Sequence, residues 1–125
     1  MLLLTAVLTA MFLWTYRPAT AVTPREARTG WRHHQYDVVV DVRSPAEWAT
    51  GHFVDSIHVP LHDLQRQLPH RVSDRATRLL FICATGRRAS RAAVIATDLG
   101  YTRVTYMTGG DWATLEKTPQ PVLNV

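Results

Sequence analysis

Short apolar runs separated by polar turns are the main pattern of this chain, and they predict buried strands. Residues 79–82 read Leu-Leu-Phe-Ile, and residues 38–42 read Val-Val-Val-Asp-Val. Runs of this kind are typical of strands that a parallel sheet buries on both faces. Two further strands are predicted at residues 57–59 and 102–107.

Between these runs the apolar positions change to helical spacing. Ala92, Ile95, Ala96 and Leu99 recur at i, i+3, i+4 and i+7 and form one face of an amphipathic helix. Gly100 follows directly, where a C-terminal cap is expected.

Other helix signals are local. Ser44, Pro45 and Glu47 stand at the N-cap, N1 and N3 positions of a capping box. Leucines at 61, 64 and 68 predict a short helix that Pro69 stops. Residues 111–117 predict a last short helix.

Residues 2–16 form the longest uncharged apolar stretch. It is shorter than the roughly 20 residues that a spanning helix prefers. It resembles the apolar region of a signal peptide, and a small-x-small pattern predicts cleavage after Ala21. However, no arginine or lysine precedes it, whereas Arg17 and further arginines follow, and this distribution favours retention of the domain in the cytoplasm. Two interpretations remain: an export signal with a periplasmic or secreted domain, or an uncleaved membrane anchor.

The domain organisation follows from these patterns. Residues 1–21 are the signal peptide or anchor, and residues 22–30 are predicted to be a linker because prolines and a glycine interrupt them. Within the linker, Thr23 as N-cap and Pro24 at N1 would allow a short helix to begin. One folded domain covers residues 31–118, and a tail covers residues 119–125.

The charge and the arginine content indicate which class of ligand the chain favours. The formal net charge is +4, and 13 of the 14 basic residues are arginines. They are scattered and not gathered with aromatic residues, so the charge favours small anions over nucleic acid. The single cysteine cannot form an internal disulfide.

That cysteine, Cys83, lies between a buried strand and a helix, at the sheet edge where ligands bind in α/β proteins. The helix N-terminus presents unpaired N–H groups and a positive dipole end, and Arg87, Arg88 and Arg91 add charge nearby. These groups favour thiolate over thiol. The following loop, Ala84, Thr85, Gly86, Arg87 and Arg88, is therefore predicted to cradle a thiolate, a persulfide or an anion.

Four polar residues are secondary candidates. Asp41 ends the second strand at the same sheet edge, and Arg43 and Glu47 are expected to pair across the next turn. We expect all three to fix the geometry between strand and helix, although lining of the site remains open. His52 is expected to pack in its loop, because a cysteine that already favours the thiolate form leaves little work for a general base. No metal site is expected, because the neighbouring His33 and His34 make a poor chelate.

Three motifs give the chain a family resemblance. The segment Cys83-x-x-Gly86-x-Arg88-x-Ser90 resembles the active-site loop of the rhodanese (thiosulfate sulfurtransferase) family. Residues 41–48, 51–53 and 57–61 resemble its Asp-Val-Arg and Gly-His segments in the same order, and residues 108–112 match more weakly. The family tryptophan more often stands two residues after Trp112.

The resemblance covers about residues 30–118 and implies both fold and chemistry. The implied fold is a three-layer α/β domain with a central, mainly parallel sheet and helices on both faces. The implied activity is a sulfurtransferase whose Cys83 takes sulfane sulfur from thiosulfate or a persulfide. Cyanide, a thiol or a protein cysteine then accepts the sulfur, and no cofactor is required.

The loop length separates this chemistry from that of related folds. Rhodanese-like phosphatases and arsenate reductases use Cys-x5-Arg, whereas here the sixth residue after Cys83 is Ala89. A shorter ring of amides suits a single sulfur atom. Arg88, with Arg87 beside it, is expected to hold the departing anion. The alternative is a non-enzymatic persulfide carrier or binding module tethered to a membrane.

Overall fold

A single parallel sheet organises the part of the chain that the structure describes, which in this computed structural model is residue 6, residues 17–110 and residues 112–116. Its strands are β1 (Thr20–Val22), β2 (Val38–Asp41), β3 (Ser56–His58), β4 (Leu79–Ile82) and β5 (Val104–Met107). The spatial order is β1-β5-β4-β2-β3, and every neighbouring pair is parallel. Strand β4, which leads to Cys83, therefore lies at the centre of the sheet.

Helices cover both faces of the sheet. They are α1 (Pro24–Arg32), α2 (Pro45–Ala49), a 3-10 turn (Leu61–Asp63), α3 (Leu64–Arg71), α4 (Arg87–Asp98) and α5 (Ala113–Glu116). Buried residues of α3 and α4 pack on one face, and those of α1 and α5 pack on the other. The expected three-layer α/β fold is confirmed.

The continuous apolar run of β4 follows from this layering. Leu79 and Phe81 face the cluster with α3 and α4, whereas Leu80 and Ile82 face the cluster with α1 and α5. All four side chains are fully buried. A strand between two helix layers has no solvent-facing side, so alternation is lost from its sequence.

The common direction of the strands gives the sheet two distinct edges. Asp41 lies opposite Ile82 in the register of β2 and β4, so the residues that follow them meet at the carboxyl edge. At the other edge, Arg78 directly precedes β4 and Arg103 directly precedes β5. Cys83 belongs to the carboxyl edge.

Residues 22–30 differ from the predicted linker. Strand β1 pairs with β5, with Thr20 opposite Thr105 and Val22 opposite Met107. Helix α1 follows, and its start at Pro24 has the predicted N-cap: the Thr23 side chain accepts from the Glu26 N–H at 3.2 Å. The proline and glycine were misleading, because Pro24 begins α1 and Gly30 is a buried residue inside this helix. Strand β1 is a short, mostly exposed edge strand that forms by pairing with β5.

The predicted stop at Pro69 is wrong, because α3 continues to Arg71. Pro69 removes one N–H donor, but the Val72 N–H still donates to the Leu68 carbonyl at 2.8 Å. Both Leu68 and Val72 are buried, so packing holds the last turn in place. Pro69 removes one backbone hydrogen bond from the helix, and the burial of Leu68 and Val72 offsets this loss.

Other element boundaries shift by one or two residues from those expected. Strand β3 spans 56–58 instead of 57–59, β5 begins at 104 instead of 102, and α5 begins at 113 instead of 111. The predicted tail and residues 2–16 lie outside the described residues. Among the described residues, no helix has the length and apolarity needed to cross a membrane.

Candidate active site

The sulfur of Cys83 lies at the N-terminus of α4. Its Sγ accepts the backbone N–H of Gly86 at 3.0 Å and that of Ala89 at 3.4 Å. Gly86 is the N-cap residue and carries no capping side chain. The sulfur therefore takes the place of a capping oxygen, because it accepts from the third residue of the helix as an N-cap side chain normally does. Such an acceptor is stabilised when it carries negative charge.

Gly86 allows the loop to turn this tightly. Its φ is +92°, a conformation that side chains disfavour. A Cβ atom at this position would lie 2.4 Å from the carbonyl oxygen of Thr108 at the end of β5. The loop is thus pressed against the neighbouring strand, and this contact fixes the two amides that point at the sulfur.

Arg88 is held by an acidic partner from the preceding helix. Its Nη1 and Nη2 atoms donate to the two carboxylate oxygens of Glu47 at 2.6 and 2.9 Å. Glu47 also accepts the N–H of Ser44 at 3.1 Å, as predicted for the capping box. The hydrogen bonds from Arg88 are the main cause that lowers the pKa of Glu47 from 4.5 to about 2. This pair joins the start of α2 to the start of α4.

The expected ion pair between Arg43 and Glu47 is wrong. Arg43 instead binds Asp41, with Nε 3.1 and 2.9 Å from the two carboxylate oxygens and Nη2 2.9 Å from Oδ2. Both residues are buried. Among the described residues, the hydrogen bond between Arg43 and Glu47 runs from Nη1 to the Glu47 backbone carbonyl at 3.3 Å and does not involve the carboxylate. Arg43 follows the end of β2 by two residues, so its guanidinium reaches the fully buried carboxylate of Asp41 and pairs with it instead of with Glu47.

Asp41 and Arg43 hold the neighbouring loop in place. Arg43 also donates from Nη2 to the Gly51 carbonyl at 2.7 Å, and its own N–H donates to Asp41 at 2.9 Å. The pair therefore connects the end of β2 to the loop after α2. This geometry agrees with the expected structural role.

His52 is engaged in its own loop. Its Nδ1 lies 3.0 Å from the Trp48 carbonyl, and its ring stacks on the Trp48 indole at 3.5 Å between centroids. His58 also stacks on Trp48 at 4.7 Å, and its Nε2 lies 2.8 Å from the Arg43 carbonyl. The packing role expected for His52 agrees with these contacts. The aromatic cluster was missed, because only the fold brings His58 to Trp48.

Two clefts flank the cysteine loop. The first, of about 510 Å³, is lined by α3, the start of α4 and Ser44, and includes Arg88 and Arg91. The second, of about 450 Å³, lies towards β5 and includes Thr85, Gly86, Arg87 and again Arg91. We call them the α3 cleft and the β5 cleft.

The predicted loop residues take different places around these clefts. Ala84 is half-buried beside Cys83, whereas Thr85 and Arg87 are exposed and line the β5 cleft. Arg91 lines both clefts, which its charge alone does not predict. Its position one helical turn after Arg87 and Arg88 is the signal that could have identified it.

The chain matches a known family and several characterised proteins. The rhodanese-like domain model matches residues 23–112. The chain is 31% identical over 94 residues to the thiosulfate:glutathione sulfurtransferase of Saccharomyces cerevisiae, which covers 65% of this chain and 68% of the yeast protein. It is 29% identical over 65 residues to the thiosulfate sulfurtransferase PspE of Escherichia coli, covering 52% of this chain and 62% of PspE.

A solved structure gives the same picture. A human single-domain sulfurtransferase superposes with a TM-score of 0.64 at 26% identity, and the match covers 81% of this chain and 97% of the human one. The chain spans about two thirds of the length of the two curated relatives, 68% and 62%.

Proposed function

Because the chain belongs to the rhodanese family, we propose that it is a sulfurtransferase that carries sulfane sulfur as a persulfide on Cys83. The observation that carries the proposal is the pair of backbone N–H groups, from Gly86 and Ala89, that converge on Sγ. They stabilise negative charge on sulfur before and after the transfer. The names of the yeast and bacterial relatives support thiosulfate as the donor.

The first half-reaction loads the cysteine. The Cys83 thiolate attacks the outer sulfur of thiosulfate, a new S–S bond forms to Sγ, and the S–S bond of thiosulfate breaks. The electron pair of the broken bond leaves with sulfite, and the persulfide keeps one negative charge. Only 2% of Cys83 is exposed. Such a site admits a single projecting atom, such as a terminal sulfur, more readily than a bulky group.

The departing sulfite needs positive charge close to the loop. Arg88 was expected to supply it, but its guanidinium is already occupied by both oxygens of Glu47. Arg87 and Arg91 are exposed and line the clefts beside the loop. We therefore assign the binding of the departing sulfite to Arg87 and Arg91, whereas Arg88 holds the loop in place through Glu47.

The second half-reaction discharges the cysteine. Cyanide or a thiolate attacks the outer sulfur, the S–S bond to Sγ breaks, and Cys83 returns as thiolate. The products are thiocyanate from cyanide and a persulfide from a thiol. No metal or organic cofactor takes part in either step.

Initial rates test this function. With thiosulfate and either cyanide or glutathione varied, a persulfide enzyme gives parallel lines in double-reciprocal plots, because the two substrates never occupy the site together. Cys83→Ser should abolish turnover. A chain that loads sulfur but passes it to neither small acceptor would instead be the tethered carrier. A chain that never loads sulfur would contradict both.

A further inference from the structure

The chain from residue 17 onwards enters the domain at the edge opposite to the cysteine. Arg17 and Pro18 lead directly into β1 at Thr20, and β1 runs parallel to β5. The uncharged apolar sequence of residues 2–16 therefore connects to the amino edge of the sheet. Cys83 lies at the carboxyl edge, five residues along β4 from Arg78, which corresponds to about 17 Å.

A basic cleft lies where that sequence enters. It has a volume of about 460 Å³ and is lined by Arg17, Arg78 and Arg103 together with Gln35, Tyr36 and Thr102. Arg78 forms an ion pair with Asp37 at 2.8 Å. Arg17 and Arg103 are exposed. The cleft thus combines two exposed guanidinium groups with amide and hydroxyl groups, which suits a phosphate group.

Cleavage after Ala21 would cut the sheet. Ala21 is the middle residue of β1 and lies opposite Tyr106 of β5. Removal of residues 1–21 would take away two of the three residues of this strand and would remove Arg17 from the cleft. The fold therefore favours retention of the apolar sequence.

We propose that the chain stays attached to a membrane through residues 2–16, and that the cleft formed by Arg17, Arg78 and Arg103 binds the phosphate of an anionic phospholipid. The amino edge of the sheet then faces the bilayer, and Cys83 faces away from it. Charge attraction between this cleft and anionic headgroups would add to the attachment that the apolar sequence provides. This proposal does not depend on sulfur transfer.

Vesicle flotation of the full chain tests the binding. Wild type should bind vesicles containing about a third anionic phosphatidylglycerol more tightly than pure phosphatidylcholine, and high salt should remove the difference. The double variant Arg17→Gln, Arg103→Gln should lose about 25-fold in affinity for anionic vesicles, about fivefold per arginine, with no loss for neutral ones.

The matched control removes the same charge elsewhere. Arg25 and Arg66 are exposed and lie in the first turns of α1 and α3, which begin near the carboxyl edge. The double variant Arg25→Gln, Arg66→Gln should bind anionic vesicles within about threefold of wild type. Equal losses of affinity for anionic vesicles in the two double variants would overturn the cleft assignment. Wild-type binding that does not depend on the charge of the lipid would also overturn it.

Labels at the two edges of the sheet test the orientation. In a Cys83→Ser background, a fluorophore on Ala76→Cys, an exposed residue before β4 that does not line the cleft, should be quenched by lipids that carry a nitroxide on the headgroup. The same fluorophore on Thr108→Cys at the carboxyl edge should not. Equal quenching would overturn the orientation. An intact mass that lacks residues 1–21, measured on the chain isolated from its own cells, would overturn the attachment.

Discussion

Replacing Gly86 by alanine tests how the loop is built around the sulfur. At φ +92° an L side chain costs about 1–2 kcal/mol. The added Cβ would also lie 2.4 Å from the oxygen and 2.5 Å from the carbon of the Thr108 carbonyl. These are backbone atoms of the residue that follows β5 and cannot rotate away, so overpacking adds about 1–3 kcal/mol. We expect Gly86→Ala to lower the free energy of unfolding by about 2–5 kcal/mol.

Gly100 provides a matched control. Its φ is +96°, almost the same as that of Gly86, but apart from its own and the adjoining residues no atom lies within 4 Å of an added Cβ. Gly100→Ala should therefore cost only the conformational part, about 1–2 kcal/mol. The difference between the two variants isolates the contact with Thr108.

Urea unfolding of both variants gives the comparison, and intact mass after thiosulfate treatment gives the activity. Gly86→Ala should also load sulfur poorly, because a loop that moves away from β5 no longer directs its amides at Sγ. Gly100→Ala should load normally. Equal destabilisation of the two variants would refute the argument that the loop is fixed by its close approach to β5.

Three further variants test the polar network around the site. Asp41→Asn leaves the buried guanidinium of Arg43 without a carboxylate, so urea unfolding should show a loss of about 3 kcal/mol; a loss below about 0.5 kcal/mol would contradict the buried pair. Glu47→Gln removes the ion pair with Arg88 and should cost about 1 kcal/mol at pH 7, since both side chains are partly exposed to solvent. The pKa of Glu47 is about 2 in the folded chain and 4.5 ordinarily, so its stabilising contribution is complete above pH 4.5 and is lost as the pH falls towards 2; unfolding curves of wild type and variant should converge over that range, and a gap that widens in acid would argue against the pair. His52→Gln should load sulfur within about twofold of the wild-type rate, whereas a loss of about a hundredfold or more would identify a general base.

Local signals predicted the centre of the fold well. The run at residues 79–82 predicted β4 to the residue, because a fully buried parallel strand leaves a continuous apolar sequence. The capping box at Ser44 and Glu47 also formed as expected, since both partners lie within one helical turn. The position of Cys83 between strand and helix followed from these two kinds of signal.

The errors come from contacts between residues that are distant in sequence. Glu47 and Arg88 are 41 residues apart, and no local spacing indicates that they pair. Local spacing instead predicted that Glu47 pairs with Arg43, but Arg43 pairs with the buried carboxylate of Asp41. Strand β1 has no apolar alternation and owes its structure to β5, more than 80 residues later. Sequence patterns describe each segment by itself, whereas these features depend on its neighbours in space.

Sulfur loading on Cys83 tests the central claim most directly. The full chain is treated with thiosulfate, and its intact mass is compared with that of Cys83→Ser treated in the same way. We expect the wild-type chain to gain the mass of one sulfur atom, to lose it on addition of cyanide, and the variant to gain nothing. A folded wild-type chain that gains no mass from thiosulfate or from a low-molecular-weight persulfide would contradict the proposal that the amides of Gly86 and Ala89 hold a persulfide.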